Sequence, residues 1–115
     1  MKIGSINENK QIEKRISITP EIAKKYINLG FEVQLSENYG THLGFEQKEY
    51  NDAGVKFIND DKKLLENLDI VIQMNLLGEE KTSLLKSEQT FIGVLNPHEN
   101  KKQLDELVKK KINLF

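Results

Sequence analysis

Arg15 stands where an anion would be received, in the segment Glu13-Lys14-Arg15-Ile16-Ser17-Ile18-Thr19-Pro20. Met1 to Ile6 reads as a strand. Thr19 is a good N-cap, Pro20 suits the first helical position, and Glu21 meets the positive end of the helix dipole. Arg15 therefore sits on a loop beyond a strand's C-terminal end. In open α/β sheets that edge is where ligands and partner domains bind, and a guanidinium there suits an anion. A second reading, that Arg15 pairs with Glu8 or Glu13 to hold the loop, is equally compatible with its position.

The other reactive residue types form no catalytic set. His42 and His98 lie on different loops without a second ligand at metal spacing, and there is no cysteine to supply a thiolate, a nucleophile or a disulfide. No Gly-x-Ser-x-Gly elbow accompanies the serines. Gly4, Gly30, Gly40, Gly44, Gly54, Gly78 and Gly93 fit neither Gly-x-Gly-x-x-Gly nor a P-loop, so nothing here grips a pyrophosphate. Gln73, at the end of a strand, faces the ligand edge of the sheet or bonds a loop backbone; His98 faces the same edge or simply solvent.

These residues need a scaffold, and the pattern predicts one. A helix runs from Pro20 to Leu29, with Ile22, Ala23, Tyr26, Ile27 and Leu29 on one stripe and Gly30 as left-handed cap. Phe31 to Leu35 alternates as a second strand, Ser36 to Gly44 is a loop, and Gln47 to Ala53 is a short helix stopped by Gly54. Val55 to Ile58 is a weaker strand, and Asp60 or Asp61 caps a helix burying Leu64, Leu65 and Leu68. Ile70-Val71-Ile72 has the β-branched composition of a central parallel strand covered on both faces. Asn75 to Gly78 is a loop, Glu79 to Leu85 a helical turn or two, and Thr90 to Leu95 the fifth strand. Pro97 ends it, a helix with Leu104, Leu107 and Val108 on one face follows, and Lys111 to Phe115 begins a sixth strand. Strands alternating with helices predict an α/β fold: a doubly wound, mostly parallel sheet with helices on both faces, three-layered and flavodoxin-like.

The 115 residues make one domain, with no repeat or internal linker. A net charge of −1 with 30% charged residues points to no nucleic acid, and the Lys runs near the C-terminus alternate with Asp105 and Glu106 as a solvated face would. No run is apolar enough to span a bilayer and no secretory signal opens the chain, which predicts a cytosolic protein. The apolar end in mid-strand suggests one part of a longer polypeptide.

Along nearly its whole length the chain resembles the N-terminal domain shared by alanine dehydrogenase and the alpha subunit of proton-translocating NAD(P) transhydrogenase. The resemblance is carried by Lys2-Ile3-Gly4 with Glu8, Glu13-x-Arg15, Thr19-Pro20 and Leu29-Gly30-Phe31-x-Val33. It continues through Gly40, Phe45, Tyr50-x-x-Ala53-Gly54, Asp69-Ile70-Val71, Leu85-Lys86, Phe91-Ile92-Gly93-x-Leu95-x-Pro97 and Asn100. Alanine dehydrogenases hold the substrate carboxylate with an Arg and a Lys and use a His as acid/base. Here Arg15 matches the Arg, while Gln73 stands at the Lys and the His position falls near Asn96. With that cation and proton carrier missing, the resemblance leans to transhydrogenase, as does Pro97-x-x-Asn100. Departures are Ile6 for the family's Pro, Asn38-Tyr39-Gly40 for its Gly-Ala-Gly, and Gln73 itself, since many transhydrogenases also keep a Lys at that position.

The resemblance implies one domain, residues 1–115, of the NAD(H)-binding component, walling one side of a nicotinamide cleft, with Arg15 as a cleft contact and no catalytic residue or metal of its own. NAD would be held mainly by a C-terminal Rossmann domain of the same subunit, beyond residue 115, and NADP by a separate domain. The intact enzyme would pass a hydride from NADH to NADP with proton translocation, as a homodimer on the cytoplasmic side of the inner membrane through a membrane subunit, and the domain alone would be inactive. The alternatives are the corresponding domain of an alanine- or saccharopine-type dehydrogenase, and a non-catalytic binding module.

Overall fold

Thr19 accepts a hydrogen bond from the Ile22 N–H at 3.3 Å and so starts the first helix where expected in this computed structural model, which describes residues 1–115. The strands are β1 (Lys2–Ser5), β2 (Glu32–Ser36), β3 (Lys56–Ile58), β4 (Ile70–Asn75), β5 (Thr90–Val94) and β6 (Asn113–Leu114). Between them come α1 (Pro20–Asn28), α2 (Gln47–Ala53), α3 (Asp61–Asn67), α4 (Glu79–Thr82) and α5 (Lys101–Lys109). Asp60 is the cap of α3, taking the N–H groups of Lys62 and Lys63. Gly30 and Gly54 end α1 and α2 with φ of +99° and +102°, a conformation costly for any residue with a Cβ.

All neighbouring strands pair in parallel, in the order β3-β2-β1-β4-β5-β6. The α/β class and the parallel sheet are as expected. Without the three-residue edge strand β3, the order β2-β1-β4-β5-β6 is that of flavodoxin, so β3 is an added edge. The chain winds outward from β1 to β3, then crosses back to β4 and winds the other way. Right-handed crossovers must then put the helices of the two halves on opposite faces.

The two cores record that division. On one face Ala23 of α1 and Tyr50 of α2 pack with Ile3, Val33, Leu35 and Tyr39; on the other Leu64 and Leu65 of α3 and Leu107 of α5 pack with Ile6, Val71 and Phe91. Tyr50 lies edge-on to Tyr39, Phe45 and Phe57 with centroids 5.8–6.5 Å apart, the favoured aromatic geometry.

Several expected details change. Leu29 is the C-cap of α1 and lies exposed, two residues past Ile27, the last residue of that helix to pack into the core, and Val108 on α5 is exposed as well. Leu68 lies just past α3 in extended backbone yet remains buried. The fourth helix stops at Thr82, whose hydroxyl bonds back to the Leu77 carbonyl, and the sixth strand is only Asn113–Leu114. Asn75 belongs to β4 and not to the following loop. No helix is long and apolar enough to cross a membrane.

Candidate functional site at the sheet's switch point

Between β1 and β4 the strand order reverses, and a cleft of about 430 Å³ opens beyond their C-terminal ends. That is the position where open α/β sheets receive ligands, because two adjacent connections leave toward opposite faces. One wall is the loop after β1, including Ile6, Glu8 and Glu13; the other is the end of β4, its loop and α4, including Asn75, Leu77 and Lys81.

Glu8 explains why β4 runs on past its expected end. β1 pairs with β4 only at Ile70 and Val71, which leaves later N–H groups on that side without a strand, and the ladder to β5 is irregular between Ile72 and Asn75. The Glu8 carboxylate accepts the N–H groups of Met74 at 2.9 Å and Asn75 at 2.8 Å. Glu8 does not pair with Arg15. Burial pushes its pKa up, against those two backbone hydrogen bonds, which pull it down.

Glu13 is the partner of Arg15. The Arg15 Nε donates to Oε2 at 2.9 Å and Nη2 to Oε1 at 2.8 Å, the Arg15 backbone N–H bonds Oε2, and Asn75 Nδ2 donates to Oε1 at 2.9 Å. The guanidinium holds the Glu13 carboxyl down at about 2, and Glu13 in turn raises Arg15. The pair is a strut for the loop, and it also aims the cation: the Arg15 side chain is 68% exposed, with its remaining N–H donors turned to solvent. The ion-pair reading of Arg15, with Glu13 and not Glu8 as the partner, is the observed one. Glu13 lines the cleft, whereas Arg15 is not among the residues that line it.

Gln73 is buried and spent. Its Oε1 accepts the Ser5 hydroxyl at 2.8 Å and the Ile6 N–H at 2.7 Å, and its Nε2 donates to the Ile6 carbonyl at 3.1 Å. The backbone-bonding reading of Gln73 is the observed one. Ser5 also accepts from the Tyr39 hydroxyl at 3.1 Å, and Tyr39 accepts the N–H groups of Ser17 and Ile18. Burial raises the Tyr39 pKa, so it remains a neutral phenol able to donate. This buried chain, Tyr39 to Ser5 to Gln73, ties both ends of the loop that carries Glu8, Glu13 and Arg15. Neither Tyr39 nor Asn75 carries a sequence signal for this, since their partners lie 21 residues or more away in the chain.

The histidines stay apart. His42 Nε2 is 2.7 Å from the Lys14 carbonyl oxygen and braces the loop, whereas His98 is exposed after β5 and does not line the cleft. No group of three His, Cys, Asp or Glu is placed to hold a metal ion.

The cleft's carboxylates should titrate apart. Glu13, with its folded pKa lowered, contributes stability that is present above its ordinary 4.5 and lost as pH falls toward about 2. Glu8, with its folded pKa raised, contributes in the opposite sense: its protonated form favours the fold, and that contribution is lost as pH rises through its folded value. Carboxyl ¹³C NMR should show Glu13 titrating near 2 and Glu8 above 4.5; coincident titrations near 4.5 would contradict this geometry.

The family model described as alanine dehydrogenase/PNT, N-terminal domain, matches residues 4–115. The chain is 28% identical to an NAD(P) transhydrogenase alpha-subunit protein of Rickettsia prowazekii (strain Madrid E), covering all of this chain and 31% of that protein. It is 29% identical to an alanine dehydrogenase of Staphylococcus epidermidis, covering 97% of this chain and 30% of that one. The fold is shared with a solved L-alanine dehydrogenase at a TM-score of 0.91 and 19% identity, over 99% of this chain and 31% of that chain. The chain therefore spans about a third of the length of the curated relatives it matches.

Proposed function

Because this chain belongs to the alanine dehydrogenase/PNT N-terminal domain family, whose named relatives are oxidoreductases, we propose that it is the first domain of the NAD(H)-binding alpha subunit of a proton-translocating NAD(P) transhydrogenase. In this reading it walls one side of the nicotinamide cleft, a Rossmann domain of the same subunit walls the other, and NADP sits on a separate domain. The subunit works as a homodimer at the cytoplasmic face of the inner membrane, attached through a membrane partner.

The cleft's chemistry fits one end of a dinucleotide only. Glu8 and Glu13 would repel a pyrophosphate and no glycine loop cradles one, while the mixed apolar and amide lining from Ile6, Leu77 and Asn75 suits a planar, uncharged-edged ring. When bound, the nicotinamide supplies the redox chemistry. This chain's residues exclude water from one side of the ring, and Glu13, which lines the cleft, holds the exposed Arg15 guanidinium beside it.

The observation that carries transhydrogenase over dehydrogenase is the position near Asn96, where the dehydrogenase's acid/base His is missing; Gln73 adds to it without deciding, because many transhydrogenases keep a Lys there too. A keto-acid dehydrogenase of this family needs a cation where Gln73 stands, and here that side chain is neutral, buried and fully engaged by Ser5 and Ile6. In the complete subunit, NADH-dependent reduction of an NADP analogue is expected and keto-acid-dependent NADH oxidation is not; the reverse result selects the dehydrogenase. In the same protein Arg15→Ala should weaken NADH binding about tenfold, the loss of roughly one charge-assisted contact. Equal affinity and equal rate would remove Arg15 from the site.

A further inference from the structure

A polar path joins the two walls of the cleft. Asn7, in the wall after β1, gives its backbone N–H to the Ser36 hydroxyl at 3.1 Å. That hydroxyl donates to Asp61 Oδ1 at 2.8 Å, and Asp61 Oδ2 accepts from Lys81 Nζ, on α4, at 2.7 Å. Asn7 and Lys81 line the cleft, whereas Ser36 and Asp61 do not. Because β1 lies between β2 and β4 in the sheet, a path from the end of β2 to α4 crosses the switch point. Lys81 is the one cation among the lining residues, and its partner follows from the engagements of the others. Glu8 is taken by the Met74 and Asn75 N–H groups and Glu13 by Arg15 and Asn75, while Glu80, adjacent on the helix, does not face it. Asp61, at the start of α3, is the carboxylate that remains.

The wall that carries Lys81 does not hold its own shape. α4 is a single turn of four residues whose N-cap, Gly78, supplies no side-chain bond, and one turn of helix has no intrinsic stability. Leu77 before it and Leu85 after it are buried and fix the ends of the segment. Between them the turn is held from two sides. Gln103 of α5 donates to the Leu77 carbonyl and, at 2.7 Å, to the Thr82 hydroxyl, and Asp61 of α3 holds Lys81. Resting on the domain reading above, we propose that Lys81 and Asp61 are positioning residues of the nicotinamide cleft, their ion pair keeping the α4 wall where a bound dinucleotide needs it. A wall in place before the ligand arrives leaves less ordering to be done on binding, and a wall in place for only part of the time weakens affinity by that fraction.

In the 115-residue chain, Lys81→Met should speed amide exchange about fivefold at Thr82 and Ser83, whose N–H groups bond the Gly78 and Glu79 carbonyls, and leave Ala23 in α1 unchanged. In the complete subunit the same substitution should weaken NADH binding about fivefold, the upper end for a partly exposed ion pair. Asp61→Asn, which keeps an acceptor for Ser36 and removes the charge, should do the same. The two together should do no more than either alone, and Lys81→Arg should restore binding. Loss of affinity in Lys81→Met with undiminished affinity in Asp61→Asn would make Lys81 a direct ligand contact and overturn the positioning role. Equal NADH affinity in the parent and both variants would overturn this inference alone and leave the subunit reading standing. A parent subunit that binds no NADH overturns both, any faster exchange in α4 then marking a structural tie only.

Discussion

Gly4→Ala should destabilise the fold severely. Gly4 lies in the central strand, in register with Gln34 on one side and Val71 on the other. A Cβ there would fall 2.2 Å from the Gln34 carbonyl oxygen and 2.8 Å from both Leu68 methyls. The side-chain methyls can yield, but the carbonyl belongs to the β1–β2 ladder, and relief requires the two strands to part. Overpacking costs about 1–3 kcal/mol and each lost ladder bond about 1 kcal/mol more, together a large share of the roughly 5–15 kcal/mol that holds a domain of this kind. Urea denaturation followed by circular dichroism should show a lost or strongly shifted transition. A midpoint equal to the parent's would mean that β1 and β2 are not as closely apposed as described.

Gln73→Leu is the second large effect, because it keeps the volume and deletes the bonds. The Ile6 N–H would be left buried without a partner, and the Ser5 O–H donor and the Ile6 C=O would keep only their weak 3.5 Å contact with each other; at about 1–3 kcal/mol per orphaned group, a loss of roughly 3 kcal/mol is expected. Tyr39→Phe, which strands the Ser17 and Ile18 N–H groups at the other end of the same chain, should cost less, and the double variant should cost less than the sum. Amide exchange separates this from a local defect: in Gln73→Leu the Ser17 and Ile18 amides, far from position 73 in sequence, should exchange faster. Unchanged exchange there, with additive energies, would show that the two ends of the loop are held independently.

What the sequence made legible was whatever is local. Thr19-Pro20, Asp60, Gly30 and Gly54 mark helix ends by chemistry within a few residues, and the structure places each as read. Arg15's loop followed from that same punctuation, and so did its two candidate partners. Which of them it takes was settled at long range: Asn75 secures Glu13 from a separate strand, and Glu8 is drawn off to cap β4. The same distance hid the length of β4, since Met74 and Asn75 are held in strand conformation by a carboxylate more than sixty residues upstream. Periodicity misled at Leu29 and Val108, which fit their stripes but are exposed. The strand order was invisible for another reason, as an alternation of elements does not say on which side of β1 each strand is laid.

The loop after β1 has planted feet and a free crest. Ile6 at one foot and Ile18 at the other are fully buried and tied to a common polar chain, while Ile12 near the crest is 81% exposed. Such a segment can accept insertions, deletions and changes of charge between its anchorages without disturbing the register of any strand. Selection can therefore rewrite what this rim greets while the foundations go untouched, and one scaffold can serve enzymes that ask different things of the same doorway.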